Sequence, residues 1–189
     1  MVGVQLPDLP GGVGRWTPVV VISVLAIPGA IAAARMLIRH RVRSGVTPSH
    51  ALRTAVTEVG MIAGTVPWLW MILTPLPEPR HLHLIPLVDL WNQFQHPVAV
   101  FFQVVGNLLV FSAFGFLAPV RWRVGPQWVL AVVATASVVV EALQWFLNLG
   151  RVTSVDDVIV NAAGAGLASL ASRRWWATRQ HTGVIQLGH

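Results

Sequence analysis

Residues 141–169 read EALQWFLNLGRVTSVDDVIVNAAGAGLAS, and this stretch decides the fold. A carboxylate and an amide, Glu141 and Gln144, close one apolar segment. A short turn carrying Arg151 follows, and Asp156, Asp157 and Asn161 open the next apolar segment. Every polar group therefore falls at one level between two hydrophobic runs. Ionisable groups at membrane depth cost roughly 2.5 to 3.5 kcal/mol each even on a lenient insertion scale, so a set of them at one level marks a site.

Composition supports reading these runs as membrane helices. The 189 residues are 54% hydrophobic and 11% charged, against about 25% charged in an ordinary soluble domain. The formal charge of +6 rests on thirteen basic residues, every one an Arg, against seven acids. These arginines sit between apolar segments, where orientation and lipid headgroups explain them, so no nucleic-acid partner is expected. Cys is absent, which removes disulfides and thiolate metal sites. Residues 1–14 contain Asp8 but no basic n-region, so no cleaved signal peptide is expected.

Five spans follow in order: Trp16–Ile38, Arg53–Leu73, Val98–Pro119, Gln127–Leu149 and a short Val158–Ser172. Each of the first four has about the 20 residues that a ~30 Å hydrocarbon core requires. Pro28 and Gly29 predict a kink in the first. Glu58, one turn inside the second, reads as a helix-start carboxylate or a partner for the nearby arginines, with a coupling-proton role as the alternative. The connection 76–97 carries His81, His83 and His96 without the spacing of a metal site and reads as a loop resting on the membrane surface. The expected fold class is all-α and polytopic, divided into an irregular segment 1–15, two spans with an outer loop at 16–97, a three-helix core at 98–172 and a tail at 173–189.

Arginine counts set the orientation. The connections at 35–53 and 121–123 and the tail hold ten arginines, whereas the alternate side holds three. The positive-inside rule then places the C-terminus in the cytoplasm and the N-terminus outside. Asn107, Glu141, Gln144, Asp156, Asp157 and Asn161 all land at the outer level.

Helical spacing puts Glu141 with Gln144, and Asp157 with Asn161, on shared faces. The link 148–155 is short enough for an antiparallel pair whose polar faces meet. Arg151 at its tip has a donor fork suited to a carboxylate or phosphate. A plainer account is also available: Ser154-x-x-Asp157 has the form of a capping box, which would make both aspartates helix starters, and Glu141 would be the buried partner of Arg151. The AAGAG run that follows reads as a small-residue packing face, not as a cofactor loop.

The run NLLVFSAFGFLAPV together with EALQWFLNLGRVTSVDDVIVNAAGAGLAS resembles the VanZ-like family of membrane proteins. The match falls on Asn107, on Phe114, Gly115 and Phe116, on Glu141 and Gln144, on Gly150 and Arg151, and on Asp156, Asp157, Asn161 and Gly164, within residues 65–172. At residues 83–87 the pattern departs, with His83 for the family's Asn and Leu87 for its Phe. The resemblance implies a place in the cell membrane and an association with resistance to teicoplanin and related lipoglycopeptides. The expected ligand-binding set is thus Asn107, Glu141, Gln144, Arg151, Asp156, Asp157 and Asn161, with Glu141 and Asp157 as candidate general bases and no metal or cofactor. The expected partners are membrane lipids and a lipoglycopeptide or lipid-linked cell-wall precursor. The chemistry is either binding at the outer leaflet or enzymatic modification of such a lipid.

Overall fold

The computed structural model describes residues 13–86 and 97–175, with side chains placed from Thr17 to Pro86, at Phe101 and from Gln103 to Trp175. The chain forms helices α1 (Val13–Arg43), α2 (Pro48–Leu73), α3 (Pro97–Val110), α4 (Ser112–Trp122), α5 (Pro126–Phe146) and α6 (Val155–Ala171), and two short strands, β1 (His81–His83) and β2 (Val152–Ser154). Among the described residues four helical segments are long and apolar enough to cross a membrane: Thr17–Arg43, Pro48–Leu73, Gln103–Trp122 and Pro126–Phe146. The all-α membrane fold holds. The fifth expected span is α6, whose 17 residues extend roughly 25 Å at 1.5 Å each, at the short end of what a ~30 Å hydrocarbon core takes.

Several boundaries differ from the sequence reading. α1 runs unbroken through Pro18 and Pro28 and extends to Arg43. α2 begins at Pro48, where proline is tolerated because its missing N–H would be unpaired in the first turn. α5 ends at Phe146 and α6 starts at Val155, so both aspartates lie inside the first turn of α6. The third span is broken at Phe111 (φ −111°, ψ 9°). No Gly or Pro marks this break. The Ser112 hydroxyl donates to the Leu109 carbonyl at 3.0 Å, taking up one of the carbonyls that the break frees.

α6 is the hub of the bundle, packing on α3, α4 and α5, while α1 packs on α2 alone among the helices with extensive contact. Small residues make this possible. A Cβ on Gly164 would overlap the Leu108 backbone of α3, and one on Gly115 would overlap the Ala165 backbone of α6, so the helices approach to backbone contact. Around this contact Val110, Phe111, Val129, Val133, Val140 and Ala165 form the apolar core with Ile72 of α2.

The two strands pair in parallel, with His81, Leu82 and His83 opposite Val152, Thr153 and Ser154. Nothing in the helical periodicity announces this pairing. It latches the segment after α2 onto the α5–α6 link, and Leu76 N–H adds a bond to the Leu149 carbonyl at 2.8 Å. Gly150, at φ +63°, allows the approach, because a Cβ there would overlap the Leu76 carbonyl. Beyond β1, the apolar Leu84 and Ile85 are exposed, in keeping with a segment that lies against a membrane surface. The rest of that loop, with Leu87, Trp91 and His96, lies outside the described residues, as do residues 1–12 and the tail from 176.

Candidate functional site

Helix spacing carries the polar residues to one place. On α5 a single buried stripe includes Val133, Ser137, Val140, Glu141 and Gln144, as the three- and four-residue repeat requires. On α6 Asp157, Asn161 and Gly164 follow the same repeat, so the face that meets α3 at Leu108 also presents Asp157 and Asn161 there. These stripes border a cavity of about 180 Å³ lined by Asn107, Glu141, Gln144, Arg151, Asp157 and Asn161 together with Ile72, Leu76, Glu78, Gln103, Gly150 and Val152. Six of the seven sequence-predicted residues therefore converge. Asp156, the seventh, is not part of the lining. It is buried, and its backbone N–H donates to Ser154 Oγ at 3.2 Å.

The capping account is half realised. Ser154 is the N-cap of α6 and bonds the Asp156 N–H, but the acid that takes the Ser154 N–H is Glu141 Oε2, at 3.0 Å from the neighbouring helix. Asp157 is thereby turned to other partners: its Oδ1 accepts from Asn107 Nδ2 and, at 3.3 Å, from Gln103 Nε2. Gln144 is held by donating to the Ile72 carbonyl at 2.9 Å.

Arg151 is tied to the end of α2. Its Nε donates to the Thr74 carbonyl at 3.1 Å and its Nη2 to the Met71 carbonyl at 2.7 Å. The last carbonyls of a helix lack intrahelical partners and carry the negative end of the dipole, so a guanidinium there is favourable. Nearby, Arg80 lies 4.4 Å above the Trp145 ring and donates to its carbonyl at 3.1 Å, fastening the same latch. Asn161 is not saturated: it is 2% exposed, and its Oδ1 is buried without a hydrogen-bond partner among the described residues, as are Ser137 Oγ and Thr153 Oγ1, which do not line the cavity.

Two polar lining residues escaped the sequence reading. Gln103 stands one helical turn before Asn107, and that i, i+4 amide pair was the available signal. Glu78 had none, since it reaches the cavity through the fold of the loop. The histidines His81 and His83 sit in β1 with ring centroids 6.5 Å apart. Glu58 pairs with Arg41 and Arg121, as the partner reading expected, roughly 20 Å along α2 from the Met71 carbonyl.

A multi-span helical membrane protein with an acid and amide cavity at one end of its bundle is the class that these features define. The VanZ/LLP1 family profile matches residues 61–176, and the chain belongs to that family, whose members are linked with glycopeptide resistance. The match extends four residues beyond each end of the expected 65–172. No curated protein and no solved structure matches the chain.

Proposed function

We propose that the cavity receives the polar part of a lipidated or lipid-linked ligand presented at the outer leaflet, a lipoglycopeptide antibiotic or a cell-wall precursor. The observation that carries this reading is the buried, unpartnered Asn161 Oδ1 beside the hydrogen-bonded side chains of Asn107, Glu141, Gln144, Arg151 and Asp157. An orphaned buried acceptor costs about 1 to 3 kcal/mol, which a ligand N–H or O–H would offset. Charge sharpens the ligand's chemistry. The lining holds three carboxylates, on Glu78, Glu141 and Asp157, against one guanidinium, and Arg151 already spends two donor groups on α2 carbonyls. A donor-rich moiety such as a hydroxyl, amide or amine fits this better than a phosphate, and Arg151 serves as a positioning residue. At about 180 Å³ the cavity is below the usual ~300 to 1,000 Å³ of ligand pockets, so it takes a part of the ligand while the lipid part stays in the bilayer.

Incubating the purified protein with a bacterial lipid extract, with and without teicoplanin, and analysing bound material by mass spectrometry tests this. Retention of an unmodified lipid-linked species or of teicoplanin, lost in Asn161→Leu, is expected. A chemically changed lipid would instead favour catalysis by a carboxylate base. No retained species with either addition would overturn the binding reading.

A further inference from the structure

The opposite end of the bundle carries a second constellation. Glu58 accepts from Arg41 Nη2 at 2.5 Å and from Arg121 Nε at 2.7 Å, so one carboxylate is shared by two guanidiniums and a positive charge is left over. Arg41 uses Nη1 on Thr54 Oγ1 at 2.7 Å. Arg121 bonds only through Nε: among the described residues its two Nη groups donate to nothing. Arg53, in the second turn of α2, and Arg123, the C-cap of α4, add two further guanidiniums at this end of the bundle.

Glu58 also borders a cleft of about 480 Å³ between α2, α4 and α5, well within the range of about 300 to 1,000 Å³ typical of ligand pockets. Met61, Val66, Phe114 and Ala136 line its apolar walls. From Glu58 to Val66 it follows α2 for roughly 12 Å. Trp122, half exposed, borders the cleft beside Arg121, whose guanidinium carbon stands 5.7 Å from the indole centroid. An indole at this level is a headgroup-boundary residue.

An apolar slot as long as part of an acyl chain, topped by an indole and a guanidinium fork with free donors, has the complementarity of one kind of molecule. We propose that this cleft binds a phospholipid with an anionic headgroup in the arginine-side leaflet, its chain between α2, α4 and α5 and its phosphate on the Nη groups of Arg121. A planar guanidinium matches phosphate in a two-pronged fashion, and each basic residue near an anionic surface favours it about fivefold. The site is independent of the outer cavity, roughly 20 Å away along α2.

Native mass spectrometry of the full-length protein exchanged against equimolar phosphatidylglycerol and phosphatidylcholine reads the preference directly. Wild type should retain phosphatidylglycerol in severalfold excess. Arg121→Gln should lower that excess about fivefold, Glu58→Gln should raise it by unmasking charge, and Ala136→Phe should reduce retention of both lipids by filling the slot. If Arg121→Gln does not fold, the pair Arg53→Gln with Arg123→Gln, which leaves the Glu58 ion pairs untouched, should lower the excess instead. Equal retention of the two lipids by wild type, or undiminished retention in a folded Ala136→Phe, would overturn the proposal.

Discussion

Glu141 on α5 accepts the backbone N–H of Ser154, the N-cap of α6, at 3.0 Å. A carboxylate from one helix thus does for the next helix what a capping-box acid would do from within it. Because the bond needs an oxygen acceptor and not a charge, two substitutions separate architecture from function. Glu141→Ala leaves the buried N–H unpaired and should cost about 1 to 3 kcal/mol, read as a lowered Tm in detergent. Glu141→Gln keeps an acceptor and should hold Tm close to wild type while weakening ligand retention. A large Tm loss in Glu141→Gln, restored by adding Arg151→Gln, would instead make Glu141 a structural counter-ion, since coupled residues are not additive.

Arg151 ties α2 to the α5–α6 link through two carbonyls. Arg151→Leu should strip hydrogen bonds to a charged donor worth about 1.5 to 3 kcal/mol each. Proteolysis after Arg80 should accelerate along with the fall in Tm, because β1 and β2 lose their anchor. An unchanged cleavage rate would show that the strand pairing stands without it.

The glycines of α6 should not be equivalent. Gly164 faces the Leu108 backbone, whereas Gly166 faces the end of the Leu130 side chain, with Cδ2 2.8 Å from an added Cβ. Gly164→Ala should cost about 1 to 3 kcal/mol or more, as overpacking does, and Gly166→Ala clearly less, since a leucine can rotate away. Equal Tm values for the two variants would contradict the backbone contact.

Glu58 should matter for stability on its own account. Glu58→Ala leaves two partly buried guanidiniums without their acceptor, and a loss of roughly 1 to 3 kcal/mol is expected. A Tm within one degree of wild type would show that lipid phosphates replace the carboxylate.

Orientation can be tested in a chain that has no native Cys. Ser44→Cys, on the arginine-rich side, should resist an impermeant thiol reagent in intact cells, and the exposed Leu84→Cys should react. The reverse pattern would invert the topology and place the acid and amide cavity at the cytoplasmic leaflet.

What the sequence disclosed and what it hid divide along the range of the interaction. Glu141, Gln144, Asp157 and Asn161 were legible because three- and four-residue spacing fixes a helix face without knowledge of the rest, and Asn107 through its level in the third span and the family resemblance. The carbonyls of Met71 and Thr74 that Arg151 holds were not, because a helix-terminal carbonyl has no side-chain signature. The break at Phe111 and the three-residue strands were hidden for a related reason. Neither is set by local propensity, and both follow from how distant backbones meet.

The parallel pairing of β1 with β2 has a consequence for biogenesis. His81 must wait for Val152, seventy-one residues further along, and contacts of such long separation form late because the intervening loop must close first. The helices before it can enter the bilayer while the chain is still being made. The acid and amide cavity, whose walls come from both ends of that loop, is completed only after α6 has emerged, so an arrested or truncated chain would be a membrane protein without a site.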